Sequence, residues 1–305
     1  MMPLLRRLLL VLGSGLAFEH AQTQDLTPTL FDYDASRPLD VQESGVSVRD
    51  GVEVRDIAYA SVSGARTAAY IVSPEGAGKS RPGVLFVHWY APGEKDSNRA
   101  QFLEQASDLA RRGVVSLLVD TMWSDPAWYR SRNHAEDYDH SVEQVRALRR
   151  ALDVLLARPD VDAKRIAYVG HDFGAMYGAV LAGVDPRVNA AIALQAGTTS
   201  FADWFLLSAK LTGEARDRFI EKLQPLDPVH YIGKAKAPVL FQFAKEDVYV
   251  PKANADAFVA AAAEPKEVRW YDGGHGLTAQ AVRDRQDWLA ARLGLADQGP
   301  MTRAR

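Results

Sequence analysis

The sequence predicts an α/β chain built on a mostly parallel sheet with helices on both faces. Three observations carry that reading. From Val52 onward, strand-type and helix-type patterns alternate. Most strand candidates are short continuous apolar runs, such as VLFV and VSLLV, which is the pattern of strands covered on both sides. With 305 residues, 47% of them hydrophobic, the chain can bury a full-sized core without metals or disulfides.

At the start, Arg6 and Arg7 precede an apolar run over 8–18 that Gly13, Ser14 and Gly15 interrupt. That is the layout of a secretory signal peptide, so residues 1–21 are expected to direct export to the periplasm or beyond, with cleavage after Ala17 or Ala21. The run is too short to span a bilayer, and nothing later approaches the ~20 apolar residues needed. Residues 22–45 are a polar lead-in, 46–296 form one domain, and 297–305 are a tail.

Within the domain, β-type runs over 53–61 and 66–73 flank the turn signal Ser63-Gly64 and predict an opening hairpin. Buried-type strands are expected at 84–87, 114–119, 166–169, 190–194, 239–243 and 268–271. Between them, helical spacing covers 98–112, 141–156, 174–181, 253–263 and 279–293. Residues 197–231 break the rhythm and are expected to form a small cap over the carboxyl edge of the sheet.

Composition removes several function classes. A formal net charge of -3 provides no basic field for nucleic acid or an anionic membrane, so a small-molecule substrate fits better. The chain has no cysteine, which excludes disulfides, thiolate zinc sites and a cysteine nucleophile. His88, His134, His140 and His171 lack metal-ligand spacing, so neither a metal nor a cofactor is expected. The oligomeric state stays open.

The most informative stretch is RIAYVGHDFGAMY, residues 165–177, where an apolar strand runs into Gly170-His171-Asp172-Phe173-Gly174 and then a helix. Small residues two before and two after the centre let the chain turn sharply. The turn thrusts Asp172 out at the N-terminus of the following helix, whose dipole favours an anion there. Read alone, the string is a strand-to-helix turn with an Asp cap. Two further residues change that. Asp247 follows the strand at 239–243, and His275 sits in the glycine-rich loop YDGGHG after the next strand, in the chain order nucleophile, acid, histidine. In this constellation His275 is the general base and Asp247 fixes its tautomer. The oxyanion hole is expected from the backbone N–H of Phe173 and from that of Trp89 or Tyr90, after which Pro92-Gly93 turn the chain away. His88 reads as a strand-end packing residue. Trp123, Trp128, Tyr129 and Trp204 are candidate pocket walls, each equally explained by ordinary packing.

Over about 52–293 the chain resembles the α/β-hydrolase superfamily and its dienelactone hydrolase-like branch. The resemblance rests on PGVLFVHW, ALRRALDVLLARPDVDAKRIAYVGHDFGA, APVLFQFAKEDVYVP and YDGGHG. It implies an α/β-hydrolase fold and a hydrolase without a cofactor. The sequence departs from that branch at the elbow, where Asp172 stands in place of Cys or Ser. The GHDFG string looks instead like the aspartate elbow of epoxide hydrolases and haloalkane dehalogenases, whose large helical cap has no counterpart here. A carboxylate attacking an acyl carbon gives a mixed anhydride, whereas attack on a saturated carbon gives an ordinary ester that His275 and water can hydrolyse. The resulting expectation is an Asp172 ester enzyme of epoxide or halide type. The alternatives are an esterase or lactonase with Asp172 as general base, and a non-catalytic binding protein of esterase descent.

Overall fold

The computed structural model describes residues 30–76, 78–91, 97–125 and 127–295. The signal-peptide run, the first part of the lead-in, Pro92-Gly93 and the tail lie outside the described residues. Nine strands form one sheet: β1 (Gln42–Arg49), β2 (Val52–Ala60), β3 (Arg66–Pro74), β4 (Arg81–Val87), β5 (Val115–Val119), β6 (Val161–His171), β7 (Ala191–Gln195), β8 (Val239–Ala244) and β9 (Lys266–Tyr271). Their order is β1-β2-β3-β5-β4-β6-β7-β8-β9. The pairs from β1 through β3 to β5 are antiparallel, and those from β5 through β4 to β9 are parallel. The expected hairpin is β2–β3, with Ile57 opposite Ala69 and Tyr59 opposite Thr67.

Apolar residues alternate along the central strands between two cores. Leu85, Val87, Leu117, Ile166, Tyr168, Ile192 and Leu194 belong to one, which is closed by α3 (Asp137–Leu156) and α4 (Phe173–Val184). Val84, Phe86, Leu118, Ala167, Val169 and Ala193 belong to the other, with Leu109 of α1 (Leu103–Arg111) and Trp288 of α8 (Ala279–Leu293). That last helix spans the range its periodicity predicts; Thr278 accepts from the Ala281 N–H at 3.3 Å at its start, and Gly294 closes it at φ 64. Two strand expectations need correction. All eight residues of β1 are exposed, so that edge strand, which runs across the expected boundary between lead-in and domain, carries no buried pattern by which to find it. Residues 268–271 are not a fully buried strand: β9 pairs only with β8, and Val268 is 38% exposed.

Parallel pairing sends the carboxyl ends of β4, β6, β8 and β9 to one edge, and the segments that follow them assemble there. Residues 197–231 do leave the sheet. They include α5 (Phe201–Phe205), α6 (Gly213–Leu223) and short 3₁₀ turns. The Phe201 N–H donates to Asp227 Oδ1 at 2.9 Å, which pins the start of α5. Arg132, just past α2 (Trp128–Ser131), is buried against Asp137 at 3.0 Å and donates to the Phe205 carbonyl at 2.7 Å, tying α2 to α5. No helix among the described residues is long and apolar enough to cross a membrane.

The turn between β6 and α4 depends on its glycines. A Cβ on Gly174 would lie 2.2 Å from the Val87 carbonyl oxygen, and one on Gly170 would lie 2.3 Å from that of Gly174. Both obstacles are backbone, which cannot swing aside. Gly174→Ala is therefore expected to destabilise the protein by about 1–3 kcal/mol or more, read as a lower urea midpoint. A midpoint equal to wild type would show that the elbow tolerates a wider turn.

Candidate active site

Strand β6 delivers Asp172 into a tight turn at φ 61 and ψ −123, a strained conformation for a residue with a side chain. The Asp172 N–H donates to the Gln195 carbonyl at 2.9 Å, and the Tyr168 hydroxyl donates to the Gly174 carbonyl at 2.6 Å beneath the turn. These bonds hold the strain in place. The Asp172 carboxylate is 3% exposed and its two oxygens differ. Oδ2 accepts the Tyr90 N–H at 2.8 Å, and the Phe173 backbone amide at the start of α4 favours the ionised carboxylate. Oδ1 is buried and accepts nothing among the described residues. Burial pushes the Asp172 pKa up to about 7, against the pull of His275 and the two amides.

His275 Nδ1 lies 2.8 Å from Asp247 Oδ2. A carboxylate only accepts, so Nδ1 carries the proton and Nε2 is left as the basic nitrogen. The other oxygen of Asp247 accepts the N–H groups of Tyr249 at 2.8 Å and Val250 at 3.1 Å, which fixes the plane of the carboxylate. Burial alone would lower the His275 pKa. The Asp247 hydrogen bond and the nearby Asp172 charge outweigh it, and the net direction is up. Asp172 and His275 line one cavity of about 290 Å³, walled by Tyr90, Tyr129, Phe173 and Trp204.

Two expectations about the surrounding residues need correction. Trp89 does not face the carboxylate: its N–H donates to Gln101 Oε1 at 3.1 Å and its ring packs on Phe102 and His171. The next amide, that of Tyr90, takes the position instead. Trp123 and Trp128 do not line the cavity. Trp123 is fully buried, donating from Nε1 to the His88 carbonyl at 3.1 Å and stacking on Tyr177, while Trp128 meets Phe173 edge-on from outside. Tyr129 and Trp204 do line it, and the Tyr129 hydroxyl donates to the Trp204 carbonyl. The Trp204 ring packs against both Phe173 and His275, at 5.2 and 5.4 Å.

Sequence reasoning left other contributors unassigned. Tyr249 and Leu207 complete the cavity mouth. His88, read as packing, is buried and bonded through its ring nitrogens to the Trp89 carbonyl, Ser124 and Thr121 at 2.8–2.9 Å, which steadies the loop that presents Tyr90. Burial pushes its pKa down to about 4, so it is neutral at ordinary pH. No spacing rule marks such a residue, because its side-chain partners Thr121 and Ser124 come from a segment more than thirty residues away.

The dienelactone hydrolase family model matches residues 67–298. The Alpha/beta hydrolase domain-containing protein WAV2 of Arabidopsis thaliana is 27% identical over 175 residues, 53% of this chain and 56% of that protein. The chain thus spans little more than half the length of this curated relative. Among solved structures, the acetyl xylan esterase of Paenibacillus sp. R4 superposes with a TM-score of 0.70 at 20% identity, covering 88% of this chain and 92% of that one. Acetyl xylan esterase 1 of Thermoanaerobacterium sp. JW/SL YS485 gives 0.72 at 18% identity, covering 87% and 92%. At such identities the likeness is one of fold, the α/β-hydrolase fold. The family match covers well over half of the chain, and the protein belongs to the dienelactone hydrolase family.

Proposed function

We propose that this protein is a hydrolase that works through a covalent ester on Asp172, formed by attack on a saturated carbon of a small organic substrate of the epoxide or alkyl halide type. One observation carries the reading. The Tyr90 amide holds Asp172 Oδ2, Oδ1 is buried with no hydrogen-bond partner among the described residues, and Asp172 lines one cavity with His275. In the first step Oδ1 attacks carbon, and the carbon–halogen or carbon–oxygen bond breaks with its electron pair going to the leaving atom; an epoxide oxygen then takes up a proton from solvent water. In the second step His275 Nε2 removes a proton from water, whose oxygen attacks the Asp172 carboxyl carbon. Negative charge develops on Oδ2, already bonded to the Tyr90 amide, with the Phe173 amide at the helix start favouring charge on the same carboxyl group. Collapse releases the alcohol, which takes its proton from His275, and the Asp172 carboxylic acid so formed gives up its remaining proton to solvent.

In an esterase reading Asp172 would act as general base for water attack on an acyl substrate. The family match and a carboxyl pKa near 7 favour it. Against it, the Tyr90 amide that a substrate oxyanion would need is engaged by Asp172 itself. A single turnover in heavy-oxygen water separates the two. The ester route transfers one solvent oxygen into the Asp172 carboxylate, and an unlabelled Asp172 after turnover would eliminate it.

The ester route also sets a pH dependence. Only the carboxylate attacks, and its pKa stands near 7, so adduct formation should rise through pH 7 and level off above about pH 8. At pH 5 the anionic fraction is roughly 100-fold below the plateau by the same titration. Stopped-flow adduct formation that is flat from pH 5 to 8 would contradict this.

A further inference from the structure

His171, the residue before Asp172, is 3% exposed and takes no part in the steps above. Its Nε2 lies 2.9 Å from the His275 carbonyl oxygen. A carbonyl only accepts, so that nitrogen carries the proton and donates it. The ring is held between those of Trp89 at 5.1 Å and His275 at 5.2 Å. Burial, reinforced by the charges of His275 and Arg285, keeps this imidazole neutral.

The loop it holds is otherwise lightly tied. Residues 273–276 contain three glycines, and a Cβ on Gly274 or Gly276 would meet nothing within 4 Å. The loop's backbone ties include Glu246 N–H to the Gly273 carbonyl at 3.1 Å and Leu277 N–H to that of Gly274 at 3.0 Å. A bond from Asp247 to Nδ1 alone leaves the imidazole free to pivot about that contact. A second bond at the His275 carbonyl removes the freedom. We propose that His171 is a positioning residue: by donating to the His275 backbone it fixes the direction in which His275 Nε2 points, and so the placement of the water used in the second step.

The kinetic side of this inference rests on the Asp172 ester, so its test includes a readout that does not. His171→Phe keeps a flat ring between Trp89 and His275 but has no donor. His171→Gln returns an amide N–H at similar reach. The Phe variant should form adduct on Asp172 nearly as fast as wild type but hydrolyse it about 10- to 100-fold more slowly, and the Gln variant should recover most of the loss. If the Phe variant does not fold, His171→Asn replaces it; its amide is too short to reach the His275 carbonyl, and the same slow hydrolysis is expected. In parallel, full-length protein with ¹⁵N-labelled histidine should show a sharp low-field His275 Nδ1–H resonance, assigned by its loss in His275→Gln. That resonance should broaden in the Phe or Asn variant and sharpen again in the Gln variant. Wild-type hydrolysis and a sharp resonance in the donor-free variant would overturn the proposal, as would equal loss of both steps without rescue by Gln. If no adduct ever forms but the resonance follows the expected pattern, the ester mechanism falls and the positioning role stands.

Discussion

Replacing His275 with Gln is expected to lower turnover by about 10³- to 10⁴-fold while an adduct accumulates on Asp172. The two effects belong together because His275 serves only the second step. Asp172 needs no base to attack, since a carboxylate is already the nucleophilic form, and Oδ1 is unengaged. Gln can fill the volume beside Trp204 and Asp247 but has no nitrogen able to take a proton from water. Mass spectrometry of the variant after brief exposure to an epoxide or alkyl halide should show one added substrate mass on the peptide containing Asp172. A serine triad predicts the opposite, because there the histidine also activates the nucleophile and its loss blocks both steps. A His275→Gln variant that turns over normally, or that never traps an adduct, would move the general-base reading ahead.

Much of this arrangement was legible in the sequence because it depends on strand order and on turns. The apolar runs at 84–87, 166–169 and 239–243 mark parallel strands, and in such a sheet Asp172, Asp247 and His275 emerge at one edge. The glycines at 170 and 174 mark the elbow because a side chain at either position would strike backbone. Other features leave no such trace. Whether Trp89 or Tyr90 presents its amide depends on how two successive peptide planes are turned, and the Trp89 N–H is drawn away to Gln101, twelve residues further on. Trp123 and Trp204 look alike in sequence; one is sealed behind Phe173, while α5 brings the other to the cavity, a difference decided by the packing of Phe201, Phe205 and Arg132. Strand β1 was hidden because an exposed edge needs no apolar period. His171 was hidden because its partner is a backbone carbonyl 104 residues away, which no side-chain spacing encodes.

Asp172→Asn should abolish adduct formation and, at the same time, make the protein more stable. The loss follows from chemistry: an amide oxygen is a far weaker nucleophile than a carboxylate, and turnover should fall by about 10⁴-fold or more. The gain follows from burial. A carboxyl whose pKa is about 7 in the folded protein against 3.8 ordinarily is penalised when ionised, on the order of 4 kcal/mol well above pH 7, a figure that already contains the attraction to His275. Asn keeps an oxygen for the Tyr90 and Phe173 amides and carries no charge to desolvate. Because the folded pKa is raised, wild type has its full stability from this group below pH 4 and loses it as pH rises towards and through 7. The difference between variant and wild type should therefore be near zero at pH 4, grow up to pH 7 and level off by about pH 8. For a domain of this size it corresponds to a Tm higher by roughly 5–10 °C at pH 8. Calorimetry at pH 4, 6 and 8 reads this directly, and an Asn variant that melts below wild type at pH 8 would show that the buried Asp172 anion stabilises the fold instead of straining it.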